Sequence, residues 1–163
     1  MIELYHSPRS RSLRIVWLLE ELGLHYALER YGDGRLAPPI GSAQRGPFLQ
    51  WLHFAEATLF TGCRQHRLRG PAWHTQLRQD ADEIPQAIED YRAWLTGALD
   101  LVDRTLDGAD YLLGETFSAA DIAVGHSLFV AQASGLLGAE YPNTTRYVAR
   151  SMERPALREA AAL

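Results

Sequence analysis

The sequence predicts a mostly α protein, in which a short β-α-β unit is followed by an all-helical domain. Three features of the 163 residues point there. Ile84, Ile88, Tyr91, Leu95, Leu99, Val102 and Leu106 step by threes and fours, the mark of one long amphipathic helix. Ser118 and Asp121 stand at capping-box spacing, with Asp in place of the usual Glu, before a run that is apolar nearly all round. Such a run is a helix buried at the centre of a bundle. Strand-like segments are confined to residues 1–30, after which glycines and prolines take over.

Taken in order, residues 2–5 are short, apolar-leaning and ended by His-Ser-Pro, which reads as a strand. Ser7, Ser10 and Ser12 each offer an N-cap to the helix SLRIVWLLEELGL, and Gly23 ends it. Leu13, Val16, Trp17, Glu20 and Leu24 fall near one stripe of this helix, and Ile15, Leu18, Leu19 and Leu22 fill another. A helix apolar on two sides is expected to pack on two partners. Glu20 and Glu21 oppose the macrodipole at its C-terminus, so packing must hold it in place. Residues 25–30 read as a second strand. Residues 31–46, with four glycines and two prolines, read as a linker.

From Pro47 the pattern turns helical, with Pro47 suited to a first helical position and Phe48, Leu52, Ala55 and Leu59 at helical spacing. Residues 61–73 interrupt it, either as a loop or as a segment under little selection for packing. The helix over residues 84–106, with Pro85 in its first turn, is expected to be roughly 33 Å long. Phe117 and Ile122 occupy the two staple positions around the Ser118 cap. Residues 143–152 and 155–163 form two shorter helices. Two strands and one helix leave a sheet edge and an apolar helix face uncovered. The expected remedies are docking onto the helical domain, pairing or exchange between two chains, or poor solution behaviour.

Composition narrows the function. A net charge of −4 argues against a dedicated nucleic-acid binder. The single cysteine, Cys63, excludes an internal disulfide framework and a CxxC redox pair. The early apolar run over residues 15–19 is far short of a signal peptide or a membrane span, so no membrane association and a cytoplasmic location are expected.

Two blocks, LYHSPRSRSLRIVWLLEELGL and YLLGETFSAADIAVGHSL followed by YPNTTRYVARSMERPAL, resemble the glutathione S-transferase family. The first is similar to that family's first strand, serine-bearing loop and first helix; the second to its capped, buried helix and those after it. LERYGDGRLAPP and FLQWLHFAEATL resemble the domain linker and the first helix of the all-helical domain. The resemblance implies a truncated thioredoxin-like β-α-β remnant over residues 1–30, a linker over 31–46 and an all-helical glutathione transferase C-terminal domain over 47–163. In this family a further helix, two antiparallel strands and a third helix follow the second strand. Here HYALERYGDGRLAPP joins the start of the second strand to the end of that third helix, so the resemblance implies an internal deletion. The segment carrying the family's cis-proline and its Glu-Ser or Gln-Ser pair is absent, and Pro38 and Pro39 do not match the cis-proline position.

The resemblance is to the serine-type, bacterial-like transferases, and it puts Ser10 at the catalytic position, with Ser12 as runner-up. Tyr5, Ser10, Arg11 and Ser12 would contact the substrates. It also implies glutathione as co-substrate, a small hydrophobic electrophile, a detoxification role, no metal and a homodimer. Arg9, Arg11 and Arg14 would add positive charge near a thiolate. Ser118 and Asp121 are assigned to the structural N-cap, whose loss typically costs about 1 kcal/mol. Other groups have bland readings beside functional ones. His53 and Glu56 are spaced like metal ligands or like a helix-surface pair. Arg64, His66, Arg67 and Arg69 form a phosphate site or a solvated loop. Cys63 beside Arg64 is a low-pKa thiol or a bystander. Trp51, Trp73 and Trp94 line a substrate pocket or belong to core and interface.

Three functions stay open on this reading: a weakly active or inactive glutathione transferase-like enzyme, a non-catalytic helical ligand-binding or protein-interaction module, and a decayed relative or isoform without a function of its own.

Overall fold

A computed structural model of the chain describes residues 13–23, 36–63 and 85–162. Among them are six α-helices: α1 (Leu13–Leu22), α2 (Arg45–Phe54), α3 (Pro85–Thr105), α4 (Ala119–Ala133), α5 (Pro142–Met152) and α6 (Pro155–Ala161). The described part is thus mostly α. The strands expected at residues 2–5 and 25–30 lie outside it.

α4 is the centre of the helical domain. Ala120, Ile122, Val124, Leu128 and Ala131 are all buried, as its all-round apolar sequence requires. α3 supplies Leu95, Leu99 and Val102 to the same core, and Leu106 follows just past its end. α5 is fastened to α3 by Asp103, which accepts from Thr144 N (2.7 Å) and Asn143 Nδ2 (3.1 Å) and so satisfies an orphan donor in the first turn of α5. Arg146 reaches back to Leu106 O (3.0 Å) at the C-terminus of α3.

α2 departs from the sequence pattern at both ends. It starts at Arg45, two residues before Pro47, which therefore sits inside the first turn. Its far end continues through a π-helical stretch, Ala55–Phe60, and on through residue 63, so the described part of the expected interruption is helical. The wider turn has side-chain support. Thr61 Oγ1 donates to Glu56 O (3.0 Å), and Ser127 Oγ from α4 donates to Ala55 O (3.1 Å). Gly62 is tolerated because it lies flat against α3: a Cβ there would meet Leu95 at 3.4 Å.

α1 ends at Gly23, whose positive φ of 60° closes the last turn with a bond to Glu20 O (3.0 Å). One side of α1 packs on α4 and α6, where Trp17, Ile122, Leu157 and Ala160 form a second apolar cluster with Phe117 against it. On its other apolar side Leu18 and Leu22 face a cavity that α2 lines in turn, and Ile15 is exposed.

Candidate functional site

Tyr5, Ser10, Arg11 and Ser12 lie outside the described residues. What is described is the helix they lead into and the contacts that hold it. Trp17 is completely buried on α1 because α4 carries no side chain beneath it: a Cβ on Gly125 would meet the indole at 3.4 Å. The indole also lies 6.0 Å from the Phe129 ring, stacked, and 6.1 Å from the Phe117 ring. Its Nε1 donates to Glu21 Oε1 (3.0 Å). Glu21 in turn receives a bidentate pair from Arg154, at 2.5 Å from Nε and 2.6 Å from Nη2. The guanidinium lies 3.5 Å from the Phe117 ring centre. Hydrogen bonding to Glu21 pushes the Arg154 pKa up against the opposing effect of burial, so this cation stays charged.

In the first turn of α1, Arg14 forms an ion pair with Glu56 of the π-helical stretch. Arg14 therefore has a carboxylate partner, and Glu56 pairs with this arginine. His53 itself is exposed, and among the described residues no three His, Cys, Asp or Glu side chains gather to hold a metal.

The cap of α4 is a closed polar unit. Ser118 Oγ accepts from Ala120 N (3.3 Å), while Asp121 Oδ2 accepts from Ser118 N (2.8 Å) and Ser118 Oγ (3.0 Å). Asp121 Oδ1 accepts from Leu112 N (2.9 Å), and Tyr147 OH lies 3.1 Å from it and 3.0 Å from Asp121 O. The carboxyl therefore ties the loop before α4 to α4 and α5. Burial pushes its pKa up, against the lowering effect of these donors. Tyr147 is raised well above its ordinary value, first by burial and then by Asp121.

Two more sequence candidates are placed in the core. Burial pushes the Cys63 thiol up to about 12, the reverse of a reactive thiolate, with Sγ 3.8 Å from Ser127 O. Trp51 is buried and meets Phe54 edge-on. Trp94 is instead half-exposed on α3, stacked on Tyr91. Residues 64, 66, 67, 69 and 73 lie outside the described part.

Sequence reasoning missed a cavity of about 620 Å³. Its walls are Leu18 and Leu22 of α1, the stretch from Leu36 to Ile40, and Arg45, Phe48, Leu49 and Leu52 of α2, closed by Ala119. Ala119 N donates to Leu36 O (2.8 Å), which fixes that stretch to the start of α4. The doubled apolar face of α1 was the available signal, since it implied a second neighbour for Leu18 and Leu22. Apart from Arg45 the lining side chains are apolar, so this cavity is built to bind rather than to transform.

With the geometry in hand, comparison with known proteins agrees at three levels. The family model for the Glutathione S-transferase, C-terminal domain matches residues 54–155. Glutathione S-transferase 3 of Schizosaccharomyces pombe is 29% identical, with the match covering 99% of this chain and 87% of that protein. A bacterial GST, BphK, solved as a ternary complex, superposes with a TM-score of 0.80 at 23% identity, over 99% of this chain and 98% of its own. A glutathione transferase family member from Pseudomonas fluorescens pf-5, solved with two glutathione bound, superposes with a TM-score of 0.76 at 19% identity, over 95% and 90% of the two chains. The match of the C-terminal domain model to well over half of the residues, on a fold shared with these structures, makes the chain a member of the glutathione S-transferase family.

Proposed function

We propose that the chain is a serine-type glutathione transferase that has lost the second half of its thioredoxin-like domain and keeps weak activity or none. Residues 1–30 are the remnant of that domain, 31–46 the linker and 47–163 the helical domain. The match with the Schizosaccharomyces relative runs over 212 positions against 163 residues here, so at least 49 of them face no residue of this chain, in keeping with an internal deletion.

Ser10 stands three residues before Leu13 in the sequence, and in this reading it lies at the electropositive end of the first helix. In this reading its hydroxyl donates to the sulfur of glutathione and favours the thiolate. Lowering a thiol pKa of about 8.5 by two units takes about 2.7 kcal/mol, within reach of one hydrogen bond and a helix N-terminus. The thiolate attacks the electrophilic carbon, a C–S bond forms, the leaving group departs with its electron pair, and the thiol proton passes to solvent. Tyr5, Arg11 and Ser12 are the further substrate contacts of this reading. The solved relative with two glutathione bound supports glutathione as the ligand class. We further propose a homodimer that detoxifies hydrophobic electrophiles in the cytoplasm.

The observation that carries this reading is the clamp on α1. Trp17 against Gly125 and Glu21 against Arg154 hold the helix that follows the serine loop in sequence on the helical domain. Conjugation of a chloronitrobenzene to glutathione tests it. The parent should show slow turnover and Ser10→Ala a further loss; equal turnover in both removes Ser10 from the reaction. The cavity beside α1 favours a second reading, a non-catalytic binding module, for which calorimetry should find apolar ligands bound and glutathione not.

A further inference from the structure

We infer that Arg14 and Glu56 are positioning residues for the loop that carries Ser10: the π-helical stretch aims Glu56 at the first turn of α1, and the ion pair made there sets the direction from which the loop enters the helix. The inference rests on the glutathione reading proposed above and names what holds its hydroxyl in place. Three observations carry it. First, Glu56 stands on a fixed base. The Ala55 and Glu56 carbonyls belong to the two peptide groups that flank its Cα, and both are held by side chains. Ser127 Oγ of α4 donates to the first (3.1 Å) and Thr61 Oγ1 to the second (3.0 Å). Second, the pair is partly covered, with the Arg14 side chain 17% and the Glu56 side chain 37% exposed, so it is screened less than a pair in open water. Third, α1 does not need Arg14 for its own stability. An arginine in the first turn opposes the macrodipole, and α1 has no acidic residue there to offset it. Glu56 supplies that carboxylate from another helix, so the compensating charge arrives together with a tether.

With Glu21 and Arg154 at the other end, α1 is tied to the helical domain at both of its ends. Ser10 stands four residues before Arg14 in the sequence. A loop that runs straight into a helix takes its direction from the first turn, and a hydroxyl that must meet a sulfur tolerates little misplacement. Position and charge predict opposite signs for Glu56. By charge alone, removing its carboxylate would lower the pKa of a nearby thiol. By position, removing it lets the hydroxyl leave the sulfur and raises that pKa.

The test is a titration of bound glutathione by thiolate absorbance, with turnover of a chloronitrobenzene beside it, on four full-length chains. They are the parent, Ser10→Ala, Glu56→Gln, and the exchanged pair Arg14→Glu with Glu56→Arg. Glu56→Gln should raise the pKa of the bound thiol by about one unit, lower kcat about tenfold and leave the KM for glutathione within about twofold. The exchanged pair should recover most of both losses, because it restores the tether with the signs reversed. Should Glu56→Gln fail to fold by circular dichroism, Glu56→Asp replaces it with the same expectation, since it keeps the charge and withdraws the carboxylate by one methylene. A thiol pKa that Ser10→Ala moves and Glu56→Gln leaves unchanged or lowers overturns the inference alone. So does an exchanged pair no better than Glu56→Gln. No shift in Ser10→Ala, or no glutathione uptake by the parent, overturns the glutathione reading and this inference with it.

Discussion

Glu21 on α1 and Arg154, the residue immediately before α6, are joined by two hydrogen bonds of 2.5 and 2.6 Å, with Phe117 beneath the guanidinium. The pair offsets the poor placement of an acidic residue at the C-terminus of α1. Arg154 is largely covered and stacked, so deleting it strands the Glu21 carboxylate in a site only 11% exposed. Arg154→Met is expected to lower the unfolding free energy by about 2 kcal/mol, and a double-mutant cycle with Glu21→Gln to show coupling of about 1 kcal/mol or more. Urea titrations measure both; a loss under about 0.5 kcal/mol would mean that this pair adds little to the hold on α1.

Gly125 gives a second handle on the same contact. Gly125→Ala places its methyl at ordinary contact distance from Trp17, and the helix gains from losing a glycine, so little change in stability is expected. Gly125→Leu fills the space of the indole and should cost about 1–3 kcal/mol, with tryptophan emission shifting to the red as Trp17 meets water. Equal stability of the two variants would contradict the packing described.

The Asp121 carboxyl should leave a pH signature. Its folded pKa lies above the ordinary value of 3.8, first because it is buried. A raised folded pKa gives a contribution fully present below the unfolded pKa and lost as pH rises through the folded one. The penalty of Asp121→Asn, which turns an acceptor into a donor against Leu112 N–H or Ser118 N–H, should therefore be largest below about pH 3.8 and shrink above it, by at most about 1.4 kcal/mol per pH unit. Chemical denaturation across pH measures this. A penalty growing with pH would show that the hydrogen-bond donors outweigh burial.

Cys63 should be silent in the folded chain. With the thiol at about 12 and no exposed surface, a chromogenic disulfide reagent at pH 8 is expected to react only as fast as the protein opens. In guanidinium the same thiol should react at once. Rapid labelling under native conditions would contradict its burial between the end of the α2 helix and α4.

Local periodicity made most of the helical domain legible. Leu95, Leu99 and Val102 announce α3, and Ser118 with Asp121 announces the start of α4. Pairings between distant positions were not legible. Nothing near Glu56 points to Arg14, and nothing near Gly125 points to Trp17; both contacts join residues that only the packing of α1 on the domain brings together. In its described part, residues 61–63, the expected interruption is helical, because composition cannot show that Gly62 lies against Leu95, or that Ser127 supports the π-helical turn. For Ser10, legibility rests on family resemblance alone, since a serine ahead of a helix is also an ordinary cap.

The pKa of the glutathione thiol in complex with the chain tests the central claim most directly, read as thiolate absorbance against pH for the parent and Ser10→Ala. The expected result is a bound thiol about two units below the free value of about 8.5 in the parent, returning towards it in the variant. Identical titrations in the two proteins, or no glutathione uptake by the parent, would contradict it.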